Sequence, residues 1–524
     1  MLAACGLASS LTLALLGCGC ARDTGPKWHG KGDVSPYGTK QAKGSQASDA
    51  QTNELASALD PHAGDAVITL DGDVNEWPAD IVATSDEHHL YLRFTIEESQ
   101  FTLQSANEST TILLDTDGNA KTGQLLEPAE LNGLGIDMEI VFSPAKADGS
   151  QGRGVAIFSI ANDGSRKELS VYDWDFACAP TFASTWYEAR LSRTPAGYVP
   201  ETASGLLGTN TNVRGAFALT NAQGALLAWS PAFDVTMPER CMSEARFSNV
   251  GIAKKPAGAV RVMSYNVLKG SPKQKPEVFA RILKAIDADV LLVQEWENSG
   301  TTELQQWFAS NLPSTGSWQA RTVAGDVSQG GGVAVISRLP ITGPLLSGPV
   351  VVDGRPTRFV AAQVESPLGM LHVGSAHLKC CGSLNSREDQ QRIAEASAIN
   401  AAIKAATSAD ATVIIAGDMN LVGGRQPLDT LASSLDVDGS DLAVTNPKTI
   451  GDRTFTTWSE AGNSFGPGRL DYMLYSDGGS VRASHSFVLD TARLSDATLK
   501  SMGLLRTDIS DASDHMPVVV DFVK

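Results

Sequence analysis

Val413-Ile414-Ile415-Ala416-Gly417-Asp418-Met419-Asn420 is the stretch on which the reading turns. Five apolar or small residues in a row read as a buried strand. Asp418 and Asn420 follow it, and alternation along an extended segment puts their side chains on one side. One can then align a water or a metal while the other donates to a phosphate oxygen. Gly417 lets another backbone approach closely.

Further polar residues sit at the edges of apolar strands along the same half of the chain. Asn266 ends Val262-Met263-Ser264-Tyr265, and Gln294-Glu295 ends Leu292-Val293. A carboxylate there is costly unless it meets a cation or solvent. Ala376-His377-Leu378, Arg469-Leu470-Asp471-Tyr472 and Ser513-Asp514-His515 complete the series. Taken singly, an Asn at a strand end is a turn residue and a lone His is a structural one. Acids, amides and histidines in this order suit metal-assisted phosphoester hydrolysis.

These motifs, in this order, resemble the endonuclease/exonuclease/phosphatase family over roughly residues 258 to 524. The resemblance implies a four-layer α/β/β/α sandwich, two mostly antiparallel sheets flanked by helices. It implies a Mg²⁺ site, with Mn²⁺ as a substitute, at Glu295, helped by Asn266 and Asp514. It gives catalysis to His377, Asp418, Asn420, Asp471 and His515. His515 would contact the phosphate or take a proton from the attacking water, with Asp471 setting its tautomer. His377 would protonate the leaving group or steady the phosphoryl oxygens. The reaction is in-line attack of water on phosphorus, and the family's substrates run from DNA to lipids.

A chain of 524 residues exceeds one core. Charge divides it unevenly. Residues 251–524 carry 25 Lys and Arg against 28 Asp and Glu, whereas the first 250 carry 16 against 31. The back half therefore has no broad basic face for a polyanion, which disfavours tight DNA binding.

Leu11, Leu13, Leu15 and Leu16 form a signal-type apolar region too short to span a membrane (signal peptide, 1–18). Leu15-Leu16-Gly17-Cys18 resembles a bacterial lipobox, which implies export, acylation of Cys18 and a membrane anchor, although no Lys or Arg precedes it. Residues 19–64 lack apolar periodicity and read as a tether. Cys178 and Cys241 are the natural disulfide pair in an oxidising compartment. Cys380 and Cys381 read as a loop disulfide or packed thiols.

From about residue 65 to 250, short strands at His89–Ile96, Thr111–Leu114 and Met138–Phe142, with turns between, predict an all-β sandwich and no helix. Together with the back half this makes an α+β chain. Leu70-Asp71-Gly72-Asp73-Val74-Asn75-Glu76-Trp77, Asp115-Thr116-Asp117-Gly118-Asn119 and Trp186-Tyr187-Glu188 resemble family 9 carbohydrate-binding modules. Such modules bind glycans and structural Ca²⁺. Asp115, Asp117 and Asn119 suit a hard cation and equally a plain turn. Trp77, Trp174 and Trp186 are more often core than sugar platform.

The chain thus reads as an exported, metal-dependent phosphodiesterase or endonuclease. Phosphomonoesterase or sphingomyelinase-like lipid phosphodiesterase activity is the alternative. A glycan-binding surface protein with an inactive hydrolase half is the reading from another class, and the intact acids argue against it.

Overall fold

A computed structural model describes residues 29–30, 68–95, 100–128, 130–193, 195, 212–238, 247–313 and 316–524. The apolar N-terminal stretch, Cys18, most of the tether and Cys241 lie outside these residues. Among the described residues no helix is long and apolar enough to cross a membrane.

The front half is built of β-strands, with only 3₁₀ turns besides, among the described residues. One sheet is eight-stranded and includes β2 (Ser109–Asp115), β3 (Met138–Phe142), β4 (Val155–Ile160) and β6 (Asn212–Thr220). The other is four-stranded and centres on β1 (His89–Thr95) and β5 (Trp186–Ser192). Leu90, Leu92 and Phe94 from the smaller sheet meet Ile112, Leu114, Ile140 and Phe142 from the larger in one buried core. Fully burying side chains of this size contributes about 1.5–3 kcal/mol each.

Trp174 belongs to this core and Trp77 to a smaller cluster with Ile68, Leu70 and Tyr91, and both are buried. Trp77 donates from Nε1 to Glu188 at 2.6 Å, and the Arg93 guanidinium lies over the Trp186 ring. Cys178 is a buried thiol, and Cys241, its expected disulfide partner, lies outside the described residues.

The back half has two six-stranded sheets. The first runs β9 (Gln319–Val323), β10 (Val333–Ser337), β8 (Val290–Gln294), β7 (Val260–Asn266), β16 (Val518–Val523) and β15 (Arg482–Val488). The second includes β11 (Phe359–Ser366), β12 (Gly369–His377), β13 (Thr412–Asp418) and β14 (Asp471–Tyr475), in that order. Residues of both sheets, Val262 and Leu292 from one and Leu371, Ile414 and Met473 from the other, share one core.

Helix α1 (Pro276–Ile286) buries Phe279, Ile282, Leu283 and Ile286 on that core, as its period predicts. Helix α3 (Arg387–Ala406) starts at Ser386, whose Oγ accepts from Asp389 N, with Glu388 and Asp389 in its first turn. Its Ala396, Ile399 and Ile403 cover the outer face of the second sheet. Helix α2 (Thr301–Asn311), unexpected from sequence, buries little beyond Leu304 and Phe308 and so has no clear stripe.

The halves dock through buried charge. Arg190 lies between Asp452, paired at both guanidinium nitrogens, and Asp175 at 3.2 Å. Arg493 adds a second cation on Asp175 at 2.8 Å. Burial pushes the Asp175 and Asp452 carboxyls up, but the two guanidiniums win and hold both well below the usual range. Neighbouring backbone bonds join the same faces: Leu70 N to Arg453 O, Val155 N to Ser464 O and Ala183 N to Gly423 O.

Replacing Arg190→Met leaves two acids short of a cation and should cost about 3–5 kcal/mol in urea unfolding. Because the folded pKa values are depressed, the stabilisation is present above the unfolded-state value of about 3.9 and fades only as pH falls below it. Amide protection factors at the docked loops, with the intrinsic pH dependence of exchange divided out, should therefore be unchanged between about pH 8 and 5 and fall below about pH 3.9. A loss of protection already at neutral pH would contradict this.

Candidate active site

Strand pairing brings the motif residues together. β7 and β8 are parallel, with Asn266 opposite Gln294. β12 and β13 are also parallel, with His377 opposite Asp418, and Asp471 of antiparallel β14 flanks Asp418 on its other side. Parallel neighbours end on the same side of their sheet, so one sheet presents Asn266 and Glu295 and the other His377 and Asp418, and the two ends meet where Asn266 Nδ2 reaches Asp418 Oδ2, forming one catalytic edge. Gly417 makes this packing feasible: a Cβ there would stand 1.8 Å from the Ala376 carbonyl oxygen.

Asp418 is the hub. Its Oδ2 lies 3.1 Å from Asn266 Nδ2, 3.3 Å from His377 Nε2 and 3.7 Å from His515 Nε2. The same Asn266 amide donates to Glu295 Oε1 at 3.2 Å, so two carboxylates face one donor. Glu295 holds a left-handed backbone (φ 62°) and accepts from Lys269 N at 3.0 Å. Asn420, also left-handed (φ 49°), caps Asp418 Oδ1 with its backbone N–H and donates from its side chain to Leu378 O.

Asp471 Oδ2 meets His515 Nδ1 at 2.8 Å, and Ser513 Oγ ties His515 N to the Asn266 carbonyl. Asp514 accepts from Trp458 Nε1 at 3.1 Å. His377 Nδ1, Asp471 Oδ1 and Gln294 Oε1 are buried with no hydrogen-bond partner.

The two histidines differ in charge. Burial, reinforced by Arg358, holds His377 well below the ordinary imidazole range, so it is neutral. Burial pulls His515 the same way, but Asp471 and Asp418 overcome it and raise it to about 10. Asp418 is pushed up to about 7, chiefly by burial and by Asp471 and Glu295. At neutral pH the site therefore holds a cationic His515, a neutral His377 and an acid near its titration point.

All eight expected residues lie on or beside this edge, with Asp514 on the His515 side. Sequence reading missed Arg358 and Trp458. Arg358 donates to Leu378 O at 3.2 Å and feels the charges of Asp418 and Glu295; it precedes β11 with no motif around it. Trp458 is bridged to His515 and Gly468 from a loop, and nothing local marks it.

In the front half Asp115, Asp117 and Asp137 bring ligand atoms within 4.8 Å of one another. Asn119 closes the turn instead: its N–H donates to Asp115 and Asp117, and its Oδ1 accepts from Lys121 N. Asp137 was not foreseen, because only the β2–β3 pairing brings it to the turn.

Residues 263–515 match the Endonuclease/Exonuclease/phosphatase family. Similar solved structures include sphingomyelinase C from Streptomyces griseocarneus, 17% identical, covering 50% of this chain and 99% of that one, TM-score 0.34. An AP endonuclease from Archaeoglobus fulgidus is 12% identical, with coverages of 50% and 98% and a TM-score of 0.33. TDP2 of D. rerio complexed with single-strand DNA product is 18% identical, with 51% and 99% covered and a TM-score of 0.36. No curated protein matches the chain.

Asp471→Asn removes the nearest charge holding a proton on His515. In an NMR titration the His515 ring should move from about 10 toward the unperturbed value, near 6.5. An unmoved titration would mean that Asp471 does not set its charge.

Proposed function

We propose that the C-terminal half, a phosphoester hydrolase domain of the endonuclease/exonuclease/phosphatase family, is a divalent-metal-dependent phosphodiesterase acting outside the cytoplasm. The observation that carries this reading is the Asp418 hub, one carboxylate within reach of Asn266, His377 and His515.

Glu295, Asn266 and Asp514 would offer oxygens suited to a hard cation; the Asp514 carboxylate accepts from Trp458 Nε1 and Ser513 Oγ. Glu295 and Asp418 converge on the Asn266 amide, whose Oδ1 accepts from Leu268 N at 3.1 Å. Mg²⁺ or Mn²⁺ held there would supply Lewis-acid stabilisation of phosphoryl charge. The chain's own groups do the rest. The Asp418 carboxylate orients the attacking water and accepts its proton. Cationic His515, steadied by Asp471, donates to a phosphoryl oxygen. Neutral His377 and the Asn420 amide orient the phosphate from the other side. This role for His377 is hydrogen bonding rather than release of a proton.

A phosphodiester is preferred to a phosphomonoester. Nuclease action is the first form of this reading and lipid phosphodiesterase action the second. The export, the Cys18 anchor and glycan contact through the front module remain part of the proposal from sequence. With Trp77 and Trp174 buried, a glycan would have to be held by other side chains.

Bis(p-nitrophenyl) phosphate and supercoiled plasmid should both be hydrolysed with Mg²⁺ or Mn²⁺ and not after chelation. Asp418→Ala should reduce turnover by about 10²–10⁴-fold. Equal rates in the variant would sink the assignment, and turnover of the small diester with intact plasmid would move it toward lipid or small phosphoesters.

The acidic turn of the front half would hold Ca²⁺ through Asp115, Asp117 and Asp137. Burial with two acids nearby pushes Asp137 up to about 7, and a cation would relieve that. Ca²⁺ at 100 times its Kd should stabilise the fold by about 2.7 kcal/mol in thermal unfolding, and Asp137→Asn should abolish the gain. A melting temperature indifferent to Ca²⁺ leaves the segment a plain turn.

A further inference from the structure

Just beyond His377 the chain carries two adjacent thiols that the hydrolytic site does not use. Cys381 is exposed and Cys380 partly so, and their sulfurs lie 2.9 Å apart. Lys379 Nζ stands 3.7 Å from Cys380 Sγ.

The loop is built to hold them. The fully buried Arg392 donates to both the Lys379 and the Cys381 carbonyls, at 2.9 and 2.7 Å, and Glu395 accepts from Lys379 N. Cys381 sits at φ 71° and Gly382 at φ 83°, a conformation that a non-glycine residue adopts rarely and that concentrates at functional sites.

We propose that Cys380 and Cys381 form a reversible redox site that exchanges with low-molecular-weight disulfides and closes into a disulfide between adjacent residues. Cys380, as thiolate, attacks one sulfur of a small disulfide RSSR. A bond forms between Cys380 Sγ and one RS group, and the other leaves as RS⁻. Cys381, giving up its proton to solvent, then attacks Cys380 Sγ and expels the second RS⁻. The pair loses two electrons and two protons, and RSSR is reduced to two RSH.

Cys380 suits the attacking role. The hydrogen bond from Cys381, helped by Lys379 and Arg358 against the effect of burial, takes it down to about 6, where the thiolate dominates at neutral pH. Closure is reversible for a geometric reason. Adjacent Cα atoms are about 3.8 Å apart across a trans peptide, less than the roughly 4.4 Å minimum usual for a disulfide, and strained bridges are easily reduced. The pair is therefore a switchable site, not a staple. Its loop also carries Leu378, whose carbonyl anchors Arg358 and Asn420.

The test uses the full chain, reduced and then equilibrated anaerobically with graded ratios of oxidised to reduced glutathione. After quenching with an alkylating agent, the tryptic peptide Cys380–Arg387, which contains only these two cysteines, is weighed. Expected is its conversion from a doubly alkylated to an unalkylated form lighter by two hydrogens, reversed by added thiol. Cys381→Ser should instead trap glutathione on Cys380. Full alkylation at every ratio, a persistent glutathione adduct on the wild type, or a disulfide-linked dimer would each overturn the proposal. The wild-type result stands on its own if the variant fails to fold.

Discussion

The parallel pairing of β12 with β13 is the contact on which the site depends. It is possible at this spacing only because residue 417 has no side chain, with the Ala376 carbonyl occupying the place of a Cβ. The register it sets puts His377 beside Asp418, while β14 puts Asp471 on the other flank. A slip of one residue would turn every side chain of the strand to the opposite face. Asp418 would then enter the core between strand and helix, where an unpaired carboxylate is costly.

Once that register holds, the charges follow from burial and distance. His377 and His515 both approach Asp418, yet only His515 has a second carboxylate against its other nitrogen. That difference leaves one ring neutral and the other cationic. A pair of chemically identical side chains thereby acquires two roles from their neighbours alone.

Sequence reading reached what local pattern encodes. Helix α3 has its cap and early acids in one stretch, and β3 was placed at its observed ends. Singly, Asn266 or His377 would have read as structural; the site residues were legible because they sit at the edges of apolar strands in an order that resembles the family's motifs. Helix α2 was not, since its buried face is two residues wide. Arg358, Trp458 and Asp137 escaped for another reason: their partners are distant in sequence, and pairing alone makes them neighbours. The Arg190–Asp452 contact spans 262 positions, and no window along the chain contains it. The Cys178–Cys241 pairing was inferred from compartment and count, and only Cys178, buried in the front core, lies within the described residues.

The docking of the front half bears on what the proposed enzyme can accept. Its backbone contacts fall on Gly423, Ser464 and Arg453, in segments continuous with Asn420 and with the Trp458–Asp471 stretch. Thr181 Oγ1 accepts from Arg469 N, two residues before Asp471. One flank of the catalytic edge is therefore framed by a body whose described residues between 68 and 238 carry 20 acids against 9 bases. An approaching polyanion meets that field before it meets any cation in the site, and the repulsion falls off over the Debye length, about 8 Å at physiological salt. A compact phosphodiester presents one or two charges to it, a long duplex many. Under the phosphodiesterase reading, electrostatics thus weakens the hold on duplex DNA more than on a headgroup-sized substrate, and more so as ionic strength falls, so nuclease action would rest on the groups around Asp418 rather than on the surrounding field.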